Sequence, residues 1–161
     1  MANVFGTKGN KGGSMARKQF ISMDYGALTD LVERLRAVEA DVEQVVADAM
    51  EKAAEKVQRD TVKALEDVHL PAKGAHHGKN RNTEASVVRD IKPTVTRQYV
   101  EVRLGFDKTK PGAGGFLITG TPKMNPDKAL IKIYGSKQYQ REITEEIRQD
   151  LDKAIKERME N

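Results

Sequence analysis

Chemistry, if this chain performs any, would fall first to two histidines. His76 and His77 sit in Lys73-Gly74-Ala75-His76-His77-Gly78-Lys79-Asn80-Arg81, and imidazole is the side chain that moves protons and binds metals near neutral pH. A histidine-dependent nuclease is the reaction class such a pair would suit. Adjacent side chains do not converge easily on one ion, however, and no acid falls between Asp67 and Glu84 to complete a ligand set. A second stretch, Gly6-Thr7-Lys8-Gly9-Asn10-Lys11-Gly12-Gly13-Ser14, has the glycines and lysines of a phosphate loop. It lacks the closing Gly-Lys-Ser/Thr and a preceding apolar strand. The carboxylates fall along the polar faces of helix-patterned segments, where they keep a surface soluble. We therefore expect no catalytic site, no metal and no cofactor.

Lys73, His76, His77, Lys79 and Arg81 instead belong to a basic surface loop reaching from His69 to Asn82, punctuated by Pro71, Gly74 and Gly78. Loops this long without structure of their own are uncommon and often functional. Contact with DNA or with a partner protein is the expectation for it.

The elements that position this loop follow from composition and periodicity. With 161 residues, 38% apolar and only 5% aromatic, the chain suits one domain with a modest core, helped by neighbouring subunits. It has no cysteine, which excludes disulfides, thiol catalysis and cysteine-ligated zinc and fits a reducing compartment. No apolar run approaches the roughly 20 residues that span a bilayer, so a soluble protein assembled in the cytoplasm is expected. The net charge of +4 is uneven: Lys8, Lys11, Arg17 and Lys18 stand among the first 20 residues with no acid. Removing those 4 from 28 basic residues leaves 24, against 24 acids in the rest. A neutral body argues against a dedicated nucleic-acid-binding domain. Residues 1–22 read as a flexible basic Gly/Lys-rich arm and 23–161 as a single α+β domain; Gly13-Ser14-Met15 leaves open a start at Met15.

Within the domain, Asp24 can cap a helix, and an apolar stripe from Leu28 through Leu31, Leu35, Val45, Val46, Ala49, Ala53, Val57 and Thr61 to Leu65 keeps helical spacing. A break near Ala37–Asp41 is expected, giving a short helix and then a long one; a coiled coil is the rival reading. Ser86 to Ile91 reads as a strand. Tyr99 to Phe106 is the clearest strand, with Val100, Val102, Leu104 and Phe106 alternating against Glu101, Arg103 and Gly105. Phe116 to Ile118 gives a further strand. Asp127 to Tyr134 predicts a short helix, and Ile143, Ile147, Leu151 and Ile155 a long final one. The sum is a small antiparallel sheet of three or four strands packed by a long N-terminal helix and a C-terminal helix.

One stretch carries a resemblance. Gly120-Thr121-Pro122-Lys123-Met124-Asn125-Pro126-Asp127-Lys128-Ala129-Leu130 is similar to the Gly-Thr, proline and leucine-containing helix start that closes the last strand of the small neck proteins of long-tailed bacteriophages, the head–tail joining and tail-completion family. Residues 24–158 follow that family's order of elements. The resemblance implies a non-enzymatic structural virion protein that forms a ring, typically hexameric, at the neck or tail end. Its partners would be copies of itself, the tail-tube protein and a head-connector or adaptor protein. Passing DNA would touch it without regard to sequence, and no membrane is involved. Phe116, Leu117, Ile118, Gly120, Thr121 and Pro126 then become a candidate subunit-interface strand and joint. It leaves open whether the ring belongs to the tail side or the head side, and to an infectious phage or a tail-derived particle. The alternative reading is a small DNA-binding accessory protein using the basic arm and residues 73–81.

Overall fold

The computed structural model describes residues 5–6, 19–24, 29–38, 41–68, 81–96, 99–107, 109–110 and 112–160, with the backbone alone for 5–6, 19–24 and 81–82. The described chain is mostly helical with a small antiparallel sheet, an α+β arrangement.

Two strands have length. Strand β2 (Gln19–Asp24) and strand β4 (Tyr99–Leu104) run antiparallel in continuous register from Gln19↔Leu104 to Asp24↔Tyr99. Two-residue pieces, β1 (Phe5–Gly6) and β3 (Thr94–Val95), pair at the outer edges of β2 and β4. The expected three or four strands are therefore one two-stranded ribbon with short edge pairings. The segments expected to supply the rest do not: 86–91 forms only an isolated bridge, Val87↔Phe106, and 116–118 is helical. At the N-terminal end, residues 19–22 belong to the sheet, not to an arm, and Asp24 pairs with Tyr99 where it was expected to cap a helix. The rest of the expected arm, 1–4 and 7–18, lies outside the described residues.

Helix α1 (Thr29–Ala37) buries Leu31, Val32 and Leu35. The break falls where expected, and Asp41 restarts the chain as helix α2 (Val42–Glu66), its carboxylate accepting from the Gln44 amide at 3.2 Å. After a one-turn helix α3 (Arg81–Ala85) and the sheet come α4 (Gly114–Thr119), α5 (Lys128–Gly135) and α6 (Lys137–Met159). Helix α2 lies at the centre, packed against β4, α5 and α6. Val100, Val102 and Leu104 meet it from the sheet, while Arg103 on the opposite face is exposed. Ile143, Ile147, Leu151 and Ile155 repeat every four residues along α6, and all are buried. Among the described residues no helix is long and apolar enough to cross a membrane.

Ile147 is fully buried and Arg148 beside it is exposed. Ile147→Ala is expected to cost about 2–5 kcal/mol in urea unfolding, through lost transfer energy and the void left behind. Arg148→Ala should stay within about 0.5 kcal/mol of the parent; equal effects would refute this packing of α6.

Candidate functional site

The joint between sheet and C-terminal helices is built from a few constrained residues. Phe116, Leu117 and Ile118 lie in α4, a correction to the strand expected there. A three-residue apolar run does not distinguish strand from helix by itself, and burial shows which period applies. Ala113, Gly114 and Leu117 are buried, Ile118 is half-buried and Phe116 is 58% exposed. That is one helical face turned inward, and the Leu117 amide donates to the Ala113 carbonyl at 2.9 Å. Gly114 is required where α4 starts because a Cβ there would run into the Phe106 ring.

Gly120 ends α4 with φ 75° and ψ 176°, a backbone region open essentially to glycine alone. Its amide donates to the Phe116 carbonyl at 2.7 Å. Thr121 and Met124 then close a tight turn over Pro122 and Lys123, the Thr121 amide donating to the Met124 carbonyl at 2.8 Å. Proline's fixed φ suits the second position of such a turn. Pro126 stands against Gly120, so that a Cβ on Gly120 would lie 2.8 Å from the proline Cδ. Asp127 fastens the joint twice: its amide donates to the Leu117 carbonyl at 2.7 Å, and its carboxylate accepts from the Leu130 amide at 2.9 Å to cap α5.

Two tyrosines pin the outgoing helices to α2. Thr61 Oγ1 donates to the Val57 carbonyl at 2.7 Å. With its one hydrogen placed there, Thr61 accepts from the Tyr134 hydroxyl, also at 2.7 Å. Tyr139, one turn into α6, donates to Asp60 Oδ2 at 2.6 Å. Ser136 closes α5 and caps α6, accepting from the Tyr139 amide. Burial pushes the Tyr134 hydroxyl up to about 12. Burial raises Tyr139 further, helped by its bond to Asp60 and that carboxylate's charge.

Of the loop residues singled out for DNA or partner contact, Lys73, His76, His77 and Lys79 lie outside the described residues. Arg81 opens helix α3 and is not part of an extended loop. Just beyond it, buried Thr83 accepts from the Ala113 amide at 3.0 Å, and Ser86 donates to the Thr83 carbonyl at 2.6 Å. These bonds tie α3 to the start of α4. Sequence reading placed Thr61 on the apolar stripe of α2 but not its bond to Tyr134, and it missed Thr83, Ser86 and the roles of both tyrosines. Among the described residues no group of three His, Cys, Asp or Glu could hold a metal ion.

Gly120→Ala is expected to destabilise by about 1–3 kcal/mol in chemical unfolding, since the backbone region is closed to a side chain. A neutral result would refute the joint geometry. Tyr134 has a folded pKa above its unfolded value, so its contribution is complete below about pH 10 and lost as pH rises towards 12. Tyr134 alone should account for a fall of about 2–3 kcal/mol over that window, and Tyr134→Phe should remove that part while the part due to Tyr139, also raised, remains. Compared with protein families, with curated proteins and with solved structures, the chain matches none.

Proposed function

We propose that this protein is a structural ring component of a phage or phage-like tail, a tail terminator, tail-completion or head–tail joining protein assembled from copies of itself. The reading rests on the joint, although helix α4, and not the strand that this turn closes in the neck proteins, leads into Gly120. Residues 120–130, on which the resemblance to the neck proteins rests, are held by a glycine-only backbone, a proline turn and a capped helix. The same joint presents Phe116, 58% exposed, on the outer face of α4.

A closed ring needs two different patches on each subunit that meet head to tail. Phe116 serves as the anchor of one patch; burying the part of the ring that is still exposed is worth about 1–2 kcal/mol per contact. The sheet edge at β3, where Val95 is 40% exposed, suits the other. The ring would be hexameric, bind the tail-tube protein on one side and a head-connector or adaptor protein on the other, and sit at the neck or tail end of the particle. DNA of any sequence would pass through it, touching phosphate alone.

Mass by light scattering and electron microscopy, with and without tail-tube protein, tests this. Rings of uniform size, or caps at one end of tubes, are expected. Phe116→Asp should lower the assembled mass at equal protein concentration while leaving the thermal midpoint of the subunit within a few degrees, because the residue is exposed. A protein that stays monomeric or dimeric under all these conditions would sink the proposal.

A further inference from the structure

The charges of this chain are sorted to the two ends of helix α2. At the end that carries the joint, residues 110–141 hold six cations against a single acid, Asp127, and that carboxylate already caps α5. Asp60, Glu66 and Asp67 against Lys63 at the close of α2 still leave the excess positive. Lys123, Lys128, Lys132 and Lys137 are exposed and form no ion pair among the described residues. On α5, Lys128, Ile131 and Lys132 fall at helical spacing on one face, and Ile131 is 40% exposed between the two lysines.

The other end is the reverse. Over residues 30–51, seven acids stand against two arginines, and Arg34 is itself taken by Asp152. Asp30, Glu33, Asp41, Glu43, Asp48 and Glu51 form no ion pair among the described residues. The part of α6 that packs here, residues 150–160, brings four acids and three cations, so it does not cancel the excess. Val42, half-buried, lies between Asp41 and Glu43. An apolar side chain framed by cations at one end of α2 thus has a counterpart framed by acids at the other.

The two surfaces cannot serve each other within one subunit. Tyr134 and Tyr139 fix the basic end to Thr61 and Asp60, while the Arg34–Asp152 and Lys52–Asp150 pairs bring the acidic end to the far end of α6. Glu43 and Thr61 are 18 positions apart on α2, about 27 Å of helix axis, against a screening length of about 8 Å at physiological salt. Opposite charges so separated are satisfied between copies. We propose that the α5 corner of one subunit docks on the α1–α2 end of a second copy, Ile131 meeting Val42 while Lys128 and Lys132 face Glu43 and Asp48. The two patches differ, so the contact is head to tail. It rests on the self-assembly in the ring reading and adds a contact to it; it needs neither Phe116 nor the β3 edge, and it does not require the copies to close. The charges would set register and association rate more than strength.

The test is a charge exchange, read by light scattering of the full chain over a concentration series. Lys128→Glu with Lys132→Glu reverses the basic face, and Glu43→Lys with Asp48→Lys reverses the acidic one. Each variant alone is expected to need about tenfold more protein to reach half of its assembled mass, since like charges now meet. Equimolar mixing of the two should restore assembly, which also shows that both are folded. All four positions are exposed, so thermal midpoints should stay close to the parent's. Raising chloride from about 0.1 to 1 M should weaken the parent's assembly as the screening length falls from about 10 to 3 Å. If each variant assembles like the parent, or the mixture stays dispersed, the contact is wrong, and the ring reading survives wherever the parent still forms rings. A parent that stays monomeric at about 0.1 M chloride overturns both. If a short DNA duplex binds the parent through Lys128 and Lys132 and dissolves the assembly, the corner takes nucleic acid and this assignment falls. Open chains that follow the charge exchange but never close would overturn the ring reading and leave this one standing.

Discussion

Helix α2 has to hide an apolar face 25 residues long, and almost every other element lies where that demand puts it. A helix of this composition gains its stability from what covers it more than from its own propensity. The sheet covers one part of the face through Val100 and Val102, and α5 and α6 cover others. Ala49, Ala53, Ala54 and Ala64 let those neighbours approach closely, while Met50, Val57 and Leu65 fill the spaces between them. With few aromatic residues available, close approach of small side chains replaces bulk as the source of a dense interior.

The same demand orders the charges. Along the α2–α6 contact, Lys52 pairs with Asp150 and Lys56 with Glu146, stepping four residues forward on one helix and four back on the other. Arg34 on α1 reaches Asp152 at 2.8 Å. Pairs this exposed add little energy, but they fit only one antiparallel register. The apolar repeat of α6 sets the alignment, and the flanking charges agree with it.

Much of this was legible in the sequence, and the failures have physical causes. Strand β4 and helix α6 were evident because each buries one face over several repeats of its period. The α1–α2 break was evident because a single helix over the whole stripe would run about 60 Å, long for a compact domain. Strand β2 escaped notice because six residues beside a glycine-rich stretch carry little pattern, and its partner is 75 or more positions away. Helix α4 was misread because Phe116-Leu117-Ile118 favours a strand by residue type, whereas packing on Phe106 and closure at Gly120 require a helical turn. The histidines that first suggested chemistry lie outside the described residues.

Tyr134 and Tyr139 hold on to Thr61 and Asp60, neighbours on a single helix. The buried Ile143, Ile147, Leu151 and Ile155 already align α6, and the two hydroxyl bonds on either side of Ser136 add fixed points to that alignment. Helix α4 hangs from that fixture through Asp127 and Leu117. A surface mounted in this way has already lost its conformational freedom before any neighbour arrives. Association through it would therefore carry a smaller ordering cost than contact through a loop, and more of its buried area would appear as affinity.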